Sequence, residues 1–145
     1  TLNAPAIVGS AALRDALLED PAIRETIDAA RHAPTAVFGL GIPAPDSPHL
    51  ESGFVSEEEQ AALRARGAAG DVIGRFLAVD GTIAWPELDA RTVGLTLEDL
   101  ARKPLRLGVA AGTGRGPIAL AAIRAGALNA LACDDATAEW VLAHG

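Results

Sequence analysis

Apolar positions recur along the chain in two alternating rhythms. Short continuous runs predict strands, and runs spaced by three and four residues predict helices. Ala4 to Val8 reads as a short strand, followed by a helix over Ala11 to Glu19 and a second from Pro21 to Arg31. Pro21 suits a first helical turn, where its missing N–H is not needed, and Ile23, Ile27 and Ala30 share one face. Thr35 to Leu40 predicts a second strand. A loop follows from Gly41 to Ser52, punctuated by Pro43, Pro45 and Pro48 with Asp46 and Ser47. Ser56 and Glu59 have the spacing of a capping box and open a helix that ends near Arg66-Gly67.

Farther along, Asp71 to Leu77 reads as a strand, and Asp80-Gly81 as a turn that places a hairpin within 71–85. Thr96 opens a short helix. Leu105 to Ala110 predicts a buried strand, then come a glycine-rich turn and a helix from Pro117 to Ala125. Ala127 to Ala132 predicts the last strand and Asp135 to Ala143 the last helix, with Asp135 as its N-cap. Strands alternating with helices imply an α/β fold, Rossmann-like, with a mainly parallel sheet and helices on both faces. Residues 1–145 read as a single domain. In such sheets ligands sit at the C-terminal strand ends.

Composition narrows the function. Half of the 145 residues are hydrophobic but only 3% are aromatic, so Ala, Val, Leu and Ile build the core. The formal charge of -7 argues against a nucleic-acid surface, which needs clustered Lys and Arg. Cys133 is the single cysteine, which fits a reducing, cytoplasmic compartment without disulfides. No apolar run approaches the length needed to cross a membrane. Met is absent throughout, and the sequence reads as a fragment or processed product.

Three glycine-bearing loops leave predicted strand ends. They contain Gly39 and Gly41, then Gly70 with Asp71 and Ile73, then Gly112, Thr113, Gly114 and Arg115. Gly112-Thr113-Gly114-Arg115-Gly116 stands between a strand and a helix. It reads either as a phosphate cradle, with Arg115 adding charge-assisted contacts, or as an ordinary tight turn. Its spacing is neither the dinucleotide G-x-G-x-x-G fingerprint nor a Walker A loop. Asp71 reads either as an acceptor for sugar hydroxyls or as a turn residue. Asp134-Asp135 resembles a carboxylate pair, though helix capping accounts for Asp135. His32, His49 and His144 have no metal-ligand spacing, and no Ser sits in a nucleophile elbow. No metal, cofactor or catalytic constellation is expected.

Together these pieces resemble the sugar-binding domain of SorC/DeoR-type bacterial transcriptional regulators. The resemblance covers nearly the whole chain. It is carried by Leu2-Asn3-Ala4-Pro5-Ala6, Phe38-Gly39-Leu40-Gly41 with Asp46-Ser47, and Ser52-Gly53-Phe54-Val55-Ser56-Glu57-Glu58-Glu59. It continues through Gly67-Ala68-Ala69-Gly70-Asp71-Val72-Ile73-Gly74-Arg75-Phe76, Asp80-Gly81 and Arg91-Thr92-Val93-Gly94-Leu95. Its last blocks are Val109-Ala110-Ala111-Gly112, Ala122-Ile123-Arg124-Ala125-Gly126, Asn129-Ala130-Leu131 and Asp134-Asp135-Ala136-Thr137-Ala138.

The resemblance implies a fold related to glucosamine-6-phosphate deaminase and ribose-5-phosphate isomerase. It implies a phosphorylated sugar or polyol effector bound at the strand ends. It also implies homo-oligomers, and contact with DNA only through an upstream helix-turn-helix domain. The implied effector contacts are Asp71, Ile73, the Gly112 loop and Arg115, with Gly39, Gly41 and Gly70 shaping the same strand ends. Two departures stand out. The family commonly has Lys where Arg115 stands, and the first part of the effector domain, which supplies another phosphate-binding loop, is not represented. The expectation is a sensor; the alternative on the same fold is a sugar-phosphate isomerase or deaminase. A nucleotide-binding Rossmann protein is a weaker reading, given the glycine spacing.

Overall fold

Ser10 opens the first helix, α1 (Ala11–Glu19), by accepting from the Leu13 N–H at 3.1 Å. Asp20 opens the second, α2 (Pro21–His32), by accepting from the N–H groups of Ala22 and Ile23. The far end of α2 is closed by a distant residue. Buried Lys103 donates through Nζ to the carbonyls of Ala30, Arg31 and Ala33, at 2.6, 3.1 and 2.8 Å. A cation there satisfies helix-terminal carbonyls and faces the negative end of the dipole.

The computed structural model describes residues 1–44 and 49–145 in full, and the backbone of Pro48. Pro45, Asp46 and Ser47 of the predicted proline-rich loop lie outside the described residues. The remaining elements follow in order. They are β1 (Thr35–Gly41), α3 (Pro48–Glu51), α4 (Glu57–Ala65), β2 (Ala68–Val72), β3 (Arg75–Ala78), α5 (Pro86–Asp89) and α6 (Leu97–Ala101). The chain continues with β4 (Leu105–Ala110), α7 (Gly116–Arg124), β5 (Ala130–Cys133) and α8 (Asp135–His144). The capping box of Ser56 and Glu59 is present, and Thr96 with Asp99 forms a second one on α6.

The five strands form one sheet in the order β3-β2-β1-β4-β5. It is mixed, not mainly parallel as expected. β1, β4 and β5 run parallel, whereas β2 is antiparallel to both β1 and β3. The cause is local. The predicted strand over 71–77 is broken at Ile73-Gly74, where both residues take positive φ, 49° and 83°. That is the pattern of a two-residue hairpin turn, which returns the chain antiparallel. The Asp80-Gly81 turn is also real: Gly81 N–H donates to Ala78 O and Ile83 bridges Leu77. Ala4 to Val8 is not a strand. Only Ile7 bridges, antiparallel, to Thr92.

Helix α7 packs against the sheet and carries the main core. Its Ile118, Ala119, Ala121 and Ala122 meet Phe38, Leu40, Val72 and Leu77. Small alanines allow the helix to sit close to the strands. A second cluster, Ile7, Val55, Leu63, Phe76 and Leu88, covers the other side of the β2–β3 hairpin. Coverage by helices on both faces does not extend to the parallel strands. On one face of β1 and β4, Val37 is 64% exposed and Val109 43%.

Candidate functional site

β1 and β4 end side by side, and a cavity of about 560 Å³ opens at their C-terminal ends. Gly39, Leu40 and Gly41 of β1 form its floor. Ala111, Gly112, Thr113 and Arg115, after β4, form one wall. Asp71 of β2 and His49 of α3 form the other, with Ile42 and Ala44 at the edge. The volume lies within the range of small-molecule sites.

Asp71 is 5% exposed and stands opposite Gly41 in the β1–β2 register. A Cβ on Gly41 would lie 1.9 Å from Asp71 Oδ1, so only glycine leaves room for the carboxylate. The other oxygen, Oδ2, accepts from the Gly74 N–H at 2.9 Å and faces His49 Nε2 at 3.1 Å. The hairpin turn thus fixes the carboxylate, and the carboxylate fixes the imidazole. The hydrogen bond to Asp71 raises the His49 pKa above its ordinary value; burial opposes this, and the Asp71 charge adds to it. The His49 ring also meets Phe76 edge-on at 5.6 Å.

Arg115 faces the cavity from the other wall. Its Nε donates to Ala111 O at 2.9 Å and its Nη1 to Leu40 O, so the side chain is laid along the two strand ends. Of the five guanidinium donors, the pair on Nη2 has no acceptor among the described residues. Gly112 adopts φ 101°, a left-handed conformation suited to glycine. Its N–H is already used, donating to Asp134 Oδ2 at 2.7 Å. Asp134, not Asp135, is the N-cap of α8. Its Oδ1 accepts from the Thr137 N–H at 3.0 Å. The Thr137 side chain, beside the carboxylate but short of full hydrogen-bond geometry, the Gly112 N–H and the Thr137 N–H hold the Asp134 carboxyl down to about 2.

Six of the nine expected site residues therefore line one cavity: Gly39, Gly41, Asp71, Gly112, Thr113 and Arg115. Three do not. Gly70 is a packing residue, where a Cβ would meet Gly41 O at 2.1 Å. Ile73 sits in the hairpin turn with its side chain against the main core. Gly114 lines a shallower neighbouring cleft beside Pro117. The cradle reading of the Gly112 loop loses one donor to Asp134. His49 also lines the cavity, and no local sequence pattern links it to Asp71. Among the described residues no group of three His, Cys, Asp or Glu side chains could hold a metal ion. No helix among them is long and apolar enough to cross a membrane.

Residues 1–143 match the family model described as "Putative sugar-binding domain". The chain is 36% identical over 145 residues to the transcriptional regulator LsrR of Klebsiella pneumoniae, covering 98% of this chain and 45% of that protein. Among solved structures it is similar to one described as "Putative Sugar-Binding Domain of Transcriptional Repressor" from Vibrio fischeri. There the TM-score is 0.87 at 32% identity, over 99% of this chain and 58% of that one. It is also similar to the full-length sorbitol operon regulator SorC of Klebsiella pneumoniae, with a TM-score of 0.82 at 25% identity, over 95% of this chain and 45% of that one. The chain spans about half the length of the curated relatives it matches. Those relatives are transcriptional regulators, not enzymes.

Proposed function

The chain belongs to the sugar-binding domain family of SorC/DeoR-type transcriptional regulators, and from that premise we propose that its cavity senses a phosphorylated sugar or polyol. The observation that carries this reading is the pairing of opposite chemistries across one cavity. A buried, fixed carboxylate on β2 faces a guanidinium after β4. Asp71 accepts from the hydroxyls of a polyol. Arg115, already oriented by two carbonyls, offers its remaining donors to a phosphate. A sensor needs this complementarity and no tuned acid–base pair. Gly39 and Gly41 keep the floor clear, and Thr113 adds a hydroxyl at the rim.

In the whole regulator, occupancy of the cavity alters DNA binding by a helix-turn-helix domain within a homo-oligomer. The test is a thermal-shift panel of sugar phosphates, polyol phosphates and their unphosphorylated parents. A ligand that binds only the folded state raises the melting temperature by mass action. Selective stabilisation by one phosphorylated compound is the expected result. Arg115→Gln should then lose about 1.5–3 kcal/mol of binding, the range for a hydrogen bond to a charged group. Equal response to the phosphorylated and parent compounds overturns the phosphate reading. Turnover of any sugar phosphate that Asp71→Asn abolishes overturns the sensor reading.

A further inference from the structure

The cavity holds an imidazole that the reading above does not use. His49 stands on α3, at the cavity wall, with its Nε2 set 3.1 Å from Asp71 Oδ2. The contact is built from several sides. The Gly74 N–H pins the same carboxylate oxygen, and the Phe76 ring on β3 meets the imidazole edge-on. The His49 carbonyl accepts from the N–H groups of Phe54 and Val55, which anchors its backbone. The side chain is 21% exposed and lines the cavity.

The charges around this imidazole are few. Among the described residues they are Asp71 on β2, in contact, and Arg115 across the cavity. Phe76 brings no charge, Arg75 is turned away to Asp89 and the Leu95 carbonyl, and Glu51 on α3 itself is exposed. Among the described lining residues, Asp71 and Arg115 cancel when His49 is neutral, and one net positive charge remains when it is protonated.

We propose that His49 is a positioning and charge-setting residue of this cavity, holding Asp71 in place and, when protonated, drawing anionic effectors in more tightly. The inference rests on the cavity being an anion site, as argued above. It assigns the effector response a pH dependence, with stronger binding toward acid. The hydrogen bond that raises the imidazole's pKa brings the switch toward neutral pH. Phosphate esters titrate in the same region, so the probe must not.

The test uses inorganic sulfate, a dianion throughout, titrated calorimetrically into the full-length protein at constant ionic strength. Measurements run between about pH 5.5 and about pH 8.5, a range that brackets the imidazole. The wild type is expected to bind sulfate roughly fivefold more tightly at the acid end, the size of one added unit charge nearby in a partly solvated cavity. His49→Gln should bind at the weaker, alkaline value at both ends. A second readout needs no ligand: the His49 imidazole proton resonances, identified by their loss in His49→Gln, should titrate above the ordinary range. They should move down in Asp71→Asn.

A pH slope that survives in His49→Gln overturns the proposal, as does a His49 titration indifferent to Asp71→Asn. A flat wild-type profile also overturns it. If Arg115→Gln still weakens sulfate at both ends, that flat profile leaves the anion site standing. No sulfate binding at any pH removes the anion site, and this inference with it.

Discussion

The Asp134 carboxylate accepts from the Gly112 N–H at 2.7 Å and so ties the loop after β4 to the start of α8. One residue thereby caps a helix and fixes the rim of the cavity. Removing it should act on both. Asp134→Ala is expected to lower the urea midpoint and to speed amide exchange at Gly112, measured by hydrogen exchange. Unchanged protection at Gly112 would show that the loop holds itself. The sign with pH follows from the depressed carboxyl. Its stabilisation is complete above the ordinary value of 3.8 and is lost as pH falls toward about 2. Wild type and variant should therefore converge in stability below that point.

Gly41 and Gly39 offer a matched pair of substitutions on one strand. A Cβ at Gly41 runs into the Asp71 carboxylate, whereas a Cβ at Gly39 meets nothing within 4 Å. Gly41→Ala should cost about 1–3 kcal/mol, the range for overpacking a buried site. It should also displace Asp71 from Gly74 and His49. Gly39→Ala should leave folding within about 0.5 kcal/mol of wild type. Both are read by urea unfolding. Equal stabilities for the two variants would mean that Asp71 moves aside freely and is not fixed by its surroundings.

His49 makes a prediction about stability that needs no ligand. Its pKa is raised in the folded state, chiefly by the hydrogen bond with Asp71. A raised imidazole pKa stabilises fully below the unfolded value and loses that contribution as pH rises through the folded one. His49→Gln should therefore be less stable than wild type at about pH 5.5, with the difference shrinking by about pH 8.5. Paired urea curves at the two pH values check this. A difference that grows with pH would reverse the sign and remove the ion pair as its cause.

Much of the fold was legible because its signals are local. The Ser56–Glu59 box, Pro21 at a helix start, and the apolar run of β4 each depend on neighbouring residues, and each lies where expected. The hairpin at Ile73-Gly74 escaped because a β-branched residue at positive φ runs against local preference, so the strand appeared continuous. That miss made the sheet look mainly parallel. The cavity was legible through glycines at strand ends, since Gly39, Gly41 and Gly112 mark where the backbone must stay clear. Two features were not. Asp134 takes the cap one residue ahead of Asp135 by accepting from the Thr137 N–H, and its second oxygen reaches Gly112, a long-range contact that no local pattern announces. His49 joins the site only through the β2–β3 turn that places Asp71 beside it.

The bare face of the parallel strands gives the last prediction. Gly39 stands beside Val109 in the β1–β4 register, and Val37 beside Leu107, so these side chains share one face. Val37 and Val109 are exposed there at 64% and 43%, with Leu105 at 42%. Contiguous exposed apolar side chains favour association. Sedimentation of the 145-residue chain should thus show concentration-dependent self-association that Val37→Lys suppresses. Since Val37 is mostly exposed, that substitution should change folding by no more than about 0.5 kcal/mol. In a protein as long as the matched relatives, which extend well beyond the aligned region, the same lysine distinguishes two states of this face. A loss of stability there, against none in the short chain, means that further chain packs on Val37. Equal tolerance in both means that the face stays open, and unchanged association of Val37→Lys in the short chain means that the contact lies elsewhere.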